Sequence, residues 1–140
     1  KQIFELYLGS TAHINNWDLV DVSAPQIVGG YLTDKSRRPL YTLVRSALLW
    51  ERRISILATL AFIRQRDFAD TLRLAEILLA DREDLIHKAT GWMLREVGKR
   101  DQDALEGFLG RHYQEMPRTM LRYAIERLPE PKRRFYMAKV

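Results

Sequence analysis

A chain of 140 residues makes one ordinary domain, and at 46% hydrophobic residues it can bury a core, which excludes a disordered polymer. The absence of cysteine excludes disulfides, zinc–thiolate centres and cysteine catalysis, and the three histidines (His13, His87, His112) fit no metal-ligand spacing. The formal charge of +5 suggests a polyanionic partner, although a bland basic domain with solvated arginines would carry the same charge.

In chain order, nearly every segment predicts helix. Leu, Ala, Ile, Arg and Glu dominate, and alternating β-branched runs are absent. The opening "IFELYL" reads like the end of a helix, so a C-terminal part of a longer protein is expected. Asn15 or Asn16 caps a helix running to about Gly29–Gly30, kinked near Pro25. Pro39 opens a helix over 38–48, and a close neighbour follows over 50–65. Asp67 is the expected cap of "FADTLRLAEILLA". Asp81 or Asp84 caps "LIHKATGWMLREVGK", which Gly98 and its basic flank end. Asp101 caps "DALEGFLGRHY", and Pro117 takes the first position of "PRTMLRYAIERL". Pro129 and Pro131 stop that helix and begin a basic tail, "KRRFYMAKV". The helices come in pairs with a period near 35 to 42 residues, roughly the spacing of HEAT-type hairpin repeats. The expected fold is therefore all-α. It is a single domain over 1–140, built of HEAT-like hairpins forming a short α-α superhelix with a concave face. A plain helical bundle is the alternative.

Three groups of residues break the helical pattern. In "NNWDLVD", residues 15–21, Trp17 and Asp21 lie one turn apart and share a face, an odd pair for a core. In "WERRISILATLAFIR", Trp50, Ile54, Leu57, Leu60 and Ala61 mark the buried side, and Arg53 projects into the middle of that arc. A buried lone charge costs several kcal/mol, so Arg53 needs a carboxylate or a phosphate. Asp21 is the best candidate, and an arginine partner would keep it ionised. A structural ion pair between two helices gives the same pattern. On the helix around Trp92, the residues Lys88, Trp92, Arg95 and Lys99 fall within about 60° of one another on the flank of the apolar stripe. A ring among cations suits nucleic acid, with phosphates for the cations and a base or sugar for the ring. A half-buried Trp beside solvated lysines is the alternative. Arg52 points to the polar side. Arg118 and Arg122 lie on successive turns, and "DKSRR" (34–38) and "PKRR" are further candidate phosphate contacts.

"NNWDLVD" followed by "AP" and "GG", then "WERRISIL", "KATGWMLRE" and "MPRTMLRYAIERLP" resemble the DNA alkylation repair family, the AlkD-like HEAT-repeat alkylpurine DNA glycosylases. The likeness runs over nearly the whole chain in order. It implies a fold of HEAT-like helical pairs around a basic cleft for duplex DNA. It also implies hydrolysis of the N-glycosidic bond of cationic N3- or N7-alkylated purines. By that likeness Asp21 is the catalytic aspartate, Trp17 and Trp92 are the cleft tryptophans, Arg53 pairs with the aspartate, and Arg95 contacts the DNA backbone. Lys88, Lys99, Arg52, Arg118 and Arg122 are the further expected DNA contacts. Family members carry additional N-terminal helices that help form the cleft.

The expected partner is double-stranded DNA containing alkylated bases, bound by a monomer without metal or cofactor. No apolar run approaches the roughly 18 residues of a membrane span and no signal peptide is visible, so a cytoplasmic, nucleoid-associated protein is expected. Two competing readings use the same scaffold: one that grips DNA without cutting, and one that binds a protein partner. The joint presence of Asp21, Trp17, Arg53 and Trp92 favours the enzyme.

Overall fold

The computed structural model describes residues 3–5 and 23–138. Among these the protein is all-helical, with no strand. A π-helical segment, Ala24–Gly29, leads into α1 (Gly30–Leu32). Pro25 sits in the first turn, where its missing N–H costs nothing, and its carbonyl accepts from Gly30 N–H five residues on. The chain therefore stays helical through both glycines. Gly29 is there for close approach: a Cβ on it would lie 2.1 Å from the Ala58 carbonyl oxygen.

Helix α2 (Arg38–Leu43) opens at Pro39 as expected but stops short of residue 48. Ser46 competes for the backbone. Its hydroxyl accepts from Leu48 N–H at 3.0 Å and donates to Glu51 at 2.5 Å, which turns the chain into α3 (Leu49–Leu57). The expected single helix over 50–65 is two pieces, α3 and α4 (Leu60–Ile63). Two hydroxyls divide it: Ser55 donates to Arg52 C=O and Thr59 to Ile56 C=O, both at 2.6 Å. Thr59 N–H then bonds three residues back, to Ile56. This tightened turn is where Gly29 presses on Ala58.

Helix α5 (Ala69–Leu78) follows Phe68, with no side-chain cap. Asp67, the expected cap, instead faces Arg37 at 3.4 Å. Helix α6 (Asp84–Arg100) is the longest among the described residues. Neither expected cap holds its first turn. Asp81 Oδ1 accepts from Glu83 N–H just before the helix, and Asp84 is already inside it. Gly98 does not end α6 either: a Cβ there would lie 2.5 Å from Leu105 Cδ2, so its smallness lets the next helix pack close. That helix is α7 (Gln102–His112), capped as expected by Asp101, whose Oδ1 accepts from Ala104 N–H at 3.1 Å. Pro117 immediately precedes α8 (Arg118–Ala124), which ends before Leu128. The expected basic tail is folded as α9 (Glu130–Met137), with Tyr136 buried against the second core.

Two cores result. The first gathers Val28, Leu40, Ile54, Phe62 and Leu74, and the second Leu105, Phe108, Met120 and Leu121. Helix α6 serves both. Ile86, Ala89, Met93 and Val97 enter the first, and Leu94 enters the second. Helices α3 and α8 pack on α6, while α2, α5, α7 and α9 pack as neighbours of α3, α6 and α8.

The α9 anchor is polar as well as apolar. Glu106 on α7 accepts from Lys132 Nζ at 2.5 Å, Gln102 Nε2 at 2.8 Å and Tyr136 Oη at 2.9 Å. Lys132 first, and then Gln102, hold the Glu106 carboxyl below its ordinary value. Burial and this bond push the Tyr136 hydroxyl up to about 12. The depressed carboxyl contributes stability above its unfolded pKa and loses it as pH falls through the lowered one. The raised phenol contributes fully below 10.0 and loses its contribution as pH rises toward 12. Glu106→Gln should therefore lower the melting temperature at neutral pH by the equivalent of about 1 kcal/mol and flatten the acid limb of its pH dependence. A mutant melting profile that parallels the wild type from neutral pH to pH ~3 would show that Glu106 does not titrate as a paired group.

Candidate nucleic-acid interface

Trp92 and Arg95 sit one turn apart on α6 by helical spacing, at a point where the backbone comes very close to α8. A Cβ on Gly91 would lie 2.5 Å from Tyr123 Cβ and 2.6 Å from the Met120 carbonyl oxygen. Without that side chain the two helices meet backbone to backbone. Trp92 is half-buried against the first core, and Arg95 emerges on the α8 side. Arg95, Arg122, Tyr123, Glu126 and Arg127 line an open cleft of about 530 Å³. Arg95 donates to the Glu126 carboxylate, and its Nε is buried with no hydrogen-bond partner.

Apart from Arg122, the other expected cations are already engaged. Lys88 pairs with Asp84 at 3.1 Å and Lys99 with Glu96 at 3.1 Å. Arg100 joins Glu96 at 3.1 Å; burial pushes the Glu96 carboxyl up, but bonds from Lys99 and Arg100 outweigh it and hold the group low. The exposed Lys88 pair is worth only a few tenths of a kcal/mol and exchanges readily for another anion. Arg52 is held more firmly. Its Nε meets Asp81 at 2.8 Å, and its Nη1 donates to the carbonyls of Ser46 and Ala47. Arg118 Nη1 donates to Met137 C=O at 3.3 Å, tying α8 to α9, while Arg122 is exposed on the cleft wall.

Arg53 is 2% exposed, the only charged residue among the buried ones described. Its guanidinium donates to the Leu85 carbonyl in the first turn of α6, which joins α3 to the helix carrying Trp92. Its expected carboxylate, Asp21, and the neighbouring Trp17 lie outside the described residues. In "DKSRR", Arg37 serves the fold: it contacts Asp70 at 2.7 Å, the carbonyls of Leu32 and Thr33, and the Phe62 ring at 3.7 Å. Sequence reasoning missed Tyr123, Glu126 and Arg127. The only signal was the run of arginines at 118, 122 and 127, and the end of α8 at Ala124 takes the last one off the helical face.

Among the described residues, no three His, Cys, Asp or Glu side chains cluster as metal ligands, and no helix is long and apolar enough to cross a membrane. No curated protein and no solved structure matches the chain. Residues 1–128 match the family described as DNA alkylation repair enzyme. That match covers most of the sequence, from before the Trp17 and Asp21 stretch through the cleft of α6 and α8, and on it the chain belongs to the DNA alkylation repair enzyme family.

Proposed function

We propose that the protein is a DNA glycosylase that hydrolyses the N-glycosidic bond of cationic N3- or N7-alkylated purines in duplex DNA. The observation that carries this reading is a cleft lined by Arg95, Arg122 and Arg127, with Arg95 one turn along α6 from Trp92, in a chain of an alkylation-repair family. Successive helix pairs stack as HEAT-like repeats into a short superhelix, and the helices bearing Arg53, Trp92 and Arg122 face the DNA.

The chemistry asks little of the protein at the leaving group. An alkylated N3 or N7 purine is already cationic, so it departs without a general acid. What develops is positive charge on the deoxyribose, as in glycoside hydrolysis. An ionised Asp21 stabilises that charge and orients or deprotonates the attacking water. Arg53, inside the protein, keeps Asp21 ionised and fixed. Trp17 and Trp92 pack on the sugar–phosphate backbone around the lesion and favour cationic charge. Arg95 and Arg122 grip phosphate, with Lys88 and Lys99 exchanging their carboxylate partners for DNA. Arg52 and Arg118 contribute less, since the fold already uses their donors.

The direct test incubates the protein with methylated duplex and assays free base. Release of methylpurine supports the reading; tight binding without release indicates a non-catalytic DNA-binding relative. A second expectation concerns Arg95→Ala. It should weaken binding to any duplex, damaged or not, by about tenfold and lower the slope of log K against log salt by ~0.9. An unaltered salt slope would remove Arg95 from the phosphate contacts.

A further inference from the structure

The cleft between α6 and α8 holds an arrangement that helix stability does not account for. Glu126 lies just beyond the end of α8, where the exposed carbonyls make a negative charge unfavourable. Its side chain is 60% exposed, so burial does not fix it there either. What it does is occupy Arg95. Around that pair the cleft is strongly cationic, with three guanidinium groups facing one carboxylate. Neither Arg122 nor Arg127 has an ion-pair partner among the described residues. A phosphodiester entering the cleft would offer its two non-bridging oxygens to the same guanidinium groups, with the single charge that Glu126 now supplies.

We propose that this cleft is a phosphodiester subsite that the protein occupies with its own carboxylate, and that Glu126 is the stand-in which a DNA phosphate displaces. This rests on the reading above that the chain grips duplex DNA. In the free protein Glu126 holds Arg95 extended into the cleft. On binding, the phosphate takes the guanidinium and Glu126 swings to solvent, which its exposure permits. The exchange costs affinity for every duplex. Glu126 thus weakens indiscriminate gripping of undamaged DNA and leaves the sites of chemistry untouched.

The test is anisotropy titration of a fluorescently labelled undamaged duplex at several salt concentrations. The proteins are the full chain, Glu126→Gln, Arg95→Ala and the double variant. Glu126→Gln should bind about three- to tenfold more tightly with the salt slope of the wild type, and its melting temperature should barely change. The double variant should bind like Arg95→Ala alone. If instead Glu126 positions Arg95 for DNA, Glu126→Gln weakens binding. A wild type that binds duplex while Glu126→Gln leaves its affinity unchanged or lower overturns the inference and leaves the repair reading standing. No duplex binding by either protein overturns both.

Discussion

Asp21→Asn should abolish release of 7-methylguanine from alkylated duplex while leaving duplex affinity within about twofold. The substitution keeps the shape of the side chain and removes only its charge. A developing cation on the sugar then faces a neutral amide, and the attacking water loses its acceptor. Removing one well-placed electrostatic stabiliser typically costs about 10²–10³ in rate, and Asp21 would serve two roles at once, so the loss should reach at least the upper figure. Single-turnover base release measured at saturating protein separates this from a binding defect. Arg53→Met offers the complementary arm. It strips Asp21 of its expected partner while keeping the carboxylate, so release should fall, though less than in Asp21→Asn. A rate unaffected by Asp21→Asn would leave the family membership intact and the proposed mechanism without its central group.

Gly91→Val should destabilise the protein by about 3 kcal/mol and lower its melting temperature by about 10 °C. The added Cβ falls 2.6 Å from the Met120 carbonyl oxygen and 2.5 Å from Tyr123 Cβ. Neither neighbour is the free end of a flexible side chain, so α6 and α8 must move apart. The separation also pulls Arg95 from Arg122 and weakens the cleft. Gly91→Ala is the milder form: it gains about 1 kcal/mol of helix propensity and loses more to the same clash. Calorimetric melts of the two variants check this. A Gly91→Val protein that melts like the wild type would mean that the helices do not meet there.

The all-helical class was legible because the apolar spacing and the prolines at 39, 117 and 131 punctuate helices plainly. The interruptions were not. Ser46, Ser55 and Thr59 end or break helices through hydroxyl–backbone bonds, and nothing in their local sequence separates them from serines and threonines on a solvated face. Gly98 looked like a stop signal because glycine commonly ends helices, but the reason for it lies on another helix, at Leu105. At the site, the burial of Arg53 followed from its position on the apolar arc, and Trp92 and Arg95 from helical spacing. The partners did not follow. Glu126, Tyr123 and Arg127 come to Arg95 from a segment about 30 positions away, across a helix–helix contact that only packing decides. The basic tail hid a helix for a related reason: its anchor, Tyr136 on Glu106, depends on a contact with α7.

Since one helix supplies side chains to both apolar clusters, neither half of the molecule can open without stripping a wall from the other. The amides of Ile86 to Val97 should accordingly be the last to exchange with deuterium, at a free energy equal to that of global unfolding, whereas those of Glu130 to Met137 exchange through fraying. The ring and the guanidinium that we propose meet DNA are thus mounted on the most slowly breathing part of the protein, and in that reading adaptation to bent or damaged duplex falls to the segments around it.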